Sequence, residues 1–119
     1  MDQVSPKADF MVRVVMVTVP DPDSGCALAR RVVAEGLAAC GNVIPGLTSV
    51  YRWNGEVQED PEALVVFKTT EGVLPDLMRR VMELHSYEVP EILALPVSDG
   101  NPTYLRWVVE EVKGSEASK

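Results

Sequence analysis

Asn54-Gly55 restricts the fold more than any other feature of this chain. An Asn-Gly pair between β-prone runs favours a two-residue hairpin turn, because both central residues of a type I′ turn need positive φ. Before it, Thr48 to Trp53 is β-branched and aromatic, and after it Glu56 opens an antiparallel return strand running towards Thr69. Upstream, Cys40-Gly41 leads into a short apolar piece, and Pro45-Gly46 reads as a separate turn ahead of Thr48. Pro61 cannot donate to a ladder, which marks an edge or a bulge in the return strand. Glu56, Glu59, Asp60 and Glu62 place four carboxylates within seven residues. They suit weak attraction of a hard divalent cation, but without the glycine and ligand alternation of a calcium loop they read as solvated acids that blunt a strand edge.

Around this hairpin the hydrophobic period alternates. Met11 to Val19 is Val-rich and too short for most helices, a pattern that predicts a strand buried on both faces and ended by Pro20. Asp21-Pro22 is an N-cap and first-turn pair, and Ala29, Val32, Val33, Gly36 and Leu37 fall on one face of a helix over about residues 22–38. Thr70 caps a second helix, with Leu74, Leu77, Met78, Val81 and Leu84 at helical spacing and an end near His85. Pro90 precedes a short strand at Ile92 to Val97, and Asn101-Pro102 opens a third helix carrying Leu105, Val108, Val109 and Val112. The order β-α-β-β-α-β-α predicts an α+β fold: a ferredoxin-like βαββαβ sandwich with an additional C-terminal helix, an antiparallel sheet and both main helices on one side. A chain of 119 residues suits one domain, read here as residues 11–113, with 1–10 a disordered extension and 114–119 a frayed tail.

Charge narrows the partners. Eighteen Asp and Glu against eleven Lys and Arg give a net charge of −7, which opposes contact with a phosphate backbone or an anionic membrane. No nucleic-acid partner is expected. The longest apolar run, Phe10 to Val19, is interrupted by Arg13 and falls well short of the roughly 20 residues that cross a bilayer. The N-terminus lacks a basic start and a small-residue cleavage site, so a cytoplasmic protein without a membrane partner is expected.

Few residues carry chemistry. Cys26, near the start of the first predicted helix, and Cys40, past its end, are separated by roughly 21 Å at about 1.5 Å per residue, and cannot pair in one chain. Cys40 reads as a small residue packed at a helix end. His85 is the only histidine, so one chain cannot hold zinc or copper with two or three imidazoles. Its bland reading is a partner for the helix C-terminal dipole. Neither Cys40 nor His85 has a catalytic partner at recognisable spacing, and no enzyme activity is expected. The link His85-Ser86-Tyr87-Glu88-Val89-Pro90-Glu91 combines an imidazole, a phenol and carboxylates, and Lys68 interrupts an apolar strand. Two readings of Lys68 stay open: an ion pair with Glu91, or an anion-accepting cleft shared with Glu91, Trp53 and Tyr51.

Three stretches carry a family resemblance: LAACGNVIPGLTSVYRWNGEVQE at 37–59, VVFKTT at 65–70, and HSYEVPEILALPVSDGNPTYLRW at 85–107. Over about residues 11–112 the chain resembles the CutA divalent-cation tolerance family. The resemblance implies a ferredoxin-like protomer in a tight homotrimer, its hairpin adding strands to the neighbour's sheet. It also implies clefts between subunits with Trp53, Lys68, Tyr87 and Glu91 at the matching motif positions, and an architecture similar to the PII signalling trimers. The implied role is tolerance to divalent metal ions, copper especially, with no reaction attached. Some members carry a Cys late in the first strand and two adjacent His at the end of the second helix. The matching positions here are Val17, Leu84 and His85, which leaves His85 the one metal ligand, supplemented by carboxylates, for a weakly bound divalent cation such as copper. The other function expected is a PII-like trimeric sensor that binds a small anion at the intersubunit cleft through Lys68.

Overall fold

The computed structural model describes residues 10–114, so the expected extension lies outside the described residues apart from Phe10, and the expected tail apart from Gly114. Seven elements follow in the expected order: β1 (Val12–Val19), α1 (Pro22–Ala34), β2 (Cys40–Trp53), β3 (Glu56–Thr70), α2 (Leu74–Leu84), β4 (Ile92–Pro96) and α3 (Pro102–Glu111). The strands form one antiparallel sheet in the order β2-β3-β1-β4, the ferredoxin-like α+β arrangement.

β3 is the spine of this sheet. Its residues Ala63, Val65, Phe67 and Thr69 are fully buried, and they alternate with partly exposed Leu64, Val66 and Lys68. Period-2 alternation puts these two sets on opposite faces. Leu28, Ala29 and Val32 of α1, Leu77 and Val81 of α2 and Val108 of α3 join the buried set in one core. β1 follows suit, with Val15, Val17 and Val19 buried and Val14 and Met16 only partly so. The expectation that β1 is buried on both faces is thus met on one. The other face carries Leu93 and Leu95 of β4, 53% and 43% exposed, and nothing in the described chain covers them.

Local signals explain the boundaries. Asp21 caps α1 by accepting the Ser24 N–H at 2.7 Å. The helix stops at Ala34, short of the expected 38, because Gly36 turns left-handed at φ 75°. Gly36 and Leu37 then donate to the carbonyls of Val33 and Val32, a Schellman end. Leu37 is buried as expected, but beyond the helix rather than on it. Thr70 closes β3 instead of capping α2, whose N-cap is Val73 without a side-chain cap bond. Asn101 caps α3 as expected, accepting from Thr103 N–H at 3.0 Å.

Asn54 and Gly55 both have positive φ, 52° and 80°, as the turn requires. Pro45-Gly46 is not a separate turn. It is a bulge inside β2: Ile44 pairs with Leu64 and Leu47 with Glu62, so two residues oppose Ala63 alone, and Gly46 takes φ 82°. Ala63 is also the last β3 residue to pair with β1. Beyond it the hairpin runs on as a two-stranded arm, Leu47–Trp53 against Glu56–Glu62, and the molecule measures 57 × 27 × 22 Å. Pro61 lies on this arm, where β3 has a strand on one side only.

Phe67 is completely buried at the centre, and its ring lies against the Gly41 backbone. Phe67→Ala is expected to cost roughly 3–5 kcal/mol in chemical unfolding, whereas Val33→Ala, on the exposed side of α1, changes stability by less than about 1 kcal/mol.

Candidate functional site

Chemistry gathers where the arm leaves the sheet. α2 ends at His85, whose backbone N–H still bonds the Val81 carbonyl while its φ and ψ, −79° and 143°, are already extended. The imidazole therefore swings off the helix. Nε2 lies 2.7 Å from the Thr18 carbonyl at the end of β1, and Nδ1 accepts the Tyr87 N–H at 3.0 Å. With Nδ1 an acceptor, the proton sits on Nε2 and is donated to Thr18. His85 thus ties the α2–β4 link to β1 rather than serving the dipole of its own helix. Both ring nitrogens are engaged, and a metal ion at Nε2 has to displace the Thr18 carbonyl.

The next residue but one carries the tie to the arm. The Tyr87 ring lies 4.6 Å from the imidazole, and its hydroxyl donates to Glu62 Oε2 at 2.7 Å. Tyr51, one strand across, donates to Asp60. Burial and the Glu62 carboxylate raise the Tyr87 phenol well above its usual range, and the bond to Asp60 raises Tyr51 as well. The arm acids are therefore partly committed to phenols. Among the described residues no group of three or more His, Cys, Asp or Glu side chains is arranged to hold a metal ion.

Of the five residues expected to form sites, only His85 and Tyr87 meet in one chain. Lys68 lies at the other end of β3, opposite Val14 and Cys40, and donates to Asn42. Glu91 is exposed ahead of β4, beside the level of Val17. That places it roughly 15 Å from Lys68 across two strand spacings, and no described ion pair includes either residue. The expected structural ion pair does not form. Trp53 sits at the arm tip, twelve β3 positions from Lys68 by register and so roughly 40 Å away at about 3.3 Å per residue.

Cys26 and Cys40 are unpaired thiols, as expected. Cys40 is only partly buried, and its Sγ lies 3.5 Å from the Tyr104 hydroxyl. Burial first, then this thiol, push the Tyr104 phenol up to about 12. Tyr104 in turn stacks at 5.7 Å on Trp107, and both rings are close to 40% exposed.

Val17 is fully buried and Leu84 partly so, and both are hydrocarbon with no atom that ligates a metal ion. Residues 13–111 match the family model described as CutA1 divalent ion tolerance protein. The chain belongs to the CutA family. The divalent-cation tolerance protein CutA of Thermus thermophilus is 52% identical over 100 residues, covering 84% of this chain and 97% of that protein. The solved structure of the divalent cation tolerance protein from the same bacterium superposes with a TM-score of 0.84, at 51% identity over 86% of this chain and 99% of that one. The CutA1 crystal structure from Oryza sativa gives 0.85 at 44% identity, covering 87% and 95%. The chloroplastic CutA 1 of the same plant is 46% identical over 102 residues, 86% of this chain and 58% of the plant protein. The CutA family is named for a tolerance, not a reaction. Among the described residues no helix is long and apolar enough to cross a membrane.

A raised phenol favours the neutral form, so the stability Tyr87 contributes is complete below the ordinary value near 10 and is lost as pH rises through the raised folded value. In alkaline unfolding series, wild type should lose stability above pH 10 more steeply than Tyr87→Phe. Spectrophotometric titration should show neither Tyr87 nor Tyr104 ionising at pH 10.

Proposed function

We propose that this chain acts in divalent-cation tolerance as a homotrimer that binds cations such as copper weakly. Membership of the CutA family supports the role, and one structural observation carries the assembly. The sheet face away from α1 and α2 is apolar where a solvated antiparallel sheet is ordinarily polar, with Val14, Met16, Leu64, Val66, Leu93 and Leu95 uncovered. Further copies of the chain bury that face, and the arm, with exposed Val50, Tyr51, Trp53 and Val57, reaches onto a neighbour. Summed over three copies the net charge becomes −21, from −7 each, a field that concentrates divalent cations before any site is considered.

Within that field His85 is the imidazole ligand. Coordination at Nε2 replaces one bond to Thr18, and neighbouring carboxylates supplement it. The exchange of bonds keeps the affinity low, and two unpaired thiols suit the reducing cytoplasm. Light scattering should give three times the chain mass. Calorimetric titration of copper should show weaker binding in His85→Ala than in wild type at high salt, where the nonspecific field is screened. Equal affinities would remove His85 from the account.

In a PII-like anion sensor, Trp53 of one subunit meets Lys68 of another, since one chain holds them roughly 40 Å apart by register. The shared ferredoxin-like topology supports this second reading. A thermal-shift series of nucleotides that leaves the midpoint unchanged counts against it.

A further inference from the structure

A cavity of about 300 Å³ opens between α1 and the end of α2, beside the end of β1 where the arm leaves the sheet. That size is at the lower end for small-molecule sites. Ser24, Leu28 and Arg31 of α1 line one wall, Leu84, His85 and Ser86 the other, and Pro20 closes the end beside β1. The three α1 residues lie three or four apart, a single stripe of the helix surface, so the wall runs from a hydroxyl through hydrocarbon to a guanidinium.

Arg31 is the unusual member. Its Nε stands 3.4 Å from Glu35, a long contact, while Arg80 holds both oxygens of that carboxylate at 2.9 and 3.0 Å. Arg80 is also the main cause of the lowered Glu35 pKa. Glu35 is committed to Arg80, and no described hydrogen bond reaches the two terminal amino groups of Arg31. A guanidinium with a free planar fork is suited to a bidentate carboxylate. At the opposite end Asp21 keeps a negative charge on the Ser24 N–H, which repels an anion from there.

We propose that this cavity binds a small organic monocarboxylate, its carboxylate on the Arg31 guanidinium and its compact apolar body against Leu28, Leu84 and Pro20. The occupant is a single-charged acid of phenylacetate size; a larger or doubly charged ligand meets Asp21 at the far end. His85 lines the same cavity, but its ring nitrogens are engaged by Thr18 and Tyr87, so in the metal-free protein Arg31 is the group left to take the carboxylate. For so few ligand atoms the expected dissociation constant is of the order of 1 mM.

The test titrates phenylacetate into metal-free protein and follows amide NMR shifts, with neutral phenylacetamide as the isosteric control. Saturable shifts at Ser24, Arg31 and Ser86 are expected, roughly tenfold weaker or more for phenylacetamide and for Arg31→Gln. Arg31 is 56% exposed, so its replacement leaves the fold intact. Ala27→Phe, at an exposed position on the same wall, fills the cavity and should abolish the shifts. Shifts confined to other residues, no saturation, or equal binding by wild type and Arg31→Gln would overturn the proposal.

Discussion

The pairing of β3 with β2 and β1 is the interaction on which the rest of the structure depends. Over Ala63–Thr70 β3 has a strand on each side and a buried row on one face; over Glu56–Glu62 it has β2 alone. The change falls at Ala63, opposite the Pro45-Gly46 bulge. A bulge bends its strand and increases local twist, which is what an arm leaving the sheet requires. The length of the arm, the exposure of its apolar residues and the position of its acids all follow from that break.

The α2–β4 link is held at the same place by different means. It has no ladder of its own between His85 and Glu91, and two side chains supply the fixing bonds: His85 to the end of β1 and Tyr87 to Glu62 at the root of the arm. Bonds that anchor a link also occupy the atoms that chemistry needs. The imidazole and two of the arm carboxylates are each engaged within the chain, so a cation at this junction competes with protein donors and acceptors. That competition is the reason the proposed cation binding is a weak one.

Much of this was legible before folding. The Asn54-Gly55 turn defines the hairpin register, and with it the Tyr51–Asp60 contact, because the two residues sit on diagonal positions of one face. Helical periodicity located α1, α2 and α3, and the caps at Asp21 and Asn101 behaved as local chemistry predicts. Helical spacing misled at Gly36 and Leu37, where a Schellman end buries an apolar residue at the same phase as the helix, at Val33, which is exposed, and at Val112, which lies past the end of α3. The Pro45-Gly46 pair misled for a related reason, since a bulge and a turn both call for a residue at positive φ. Lys68 and Glu91 read as potential partners because charge in an apolar stretch needs compensation, yet the compensation came from Asn42 beside Lys68.

The amino-acid sequence by itself determined the order of elements, the hairpin and the alternating core rows, because these rest on φ preferences and hydrophobic periods that act over a few residues. Tertiary structure decided which sheet face stays open, that Trp53 and Lys68 lie at opposite ends of one hairpin, and that His85 and Tyr87 spend their polar atoms on Thr18 and Glu62. Those outcomes join residues 25 and 67 positions apart. No local preference encodes such a distance; it is settled when the strands pair and the helices cover one face.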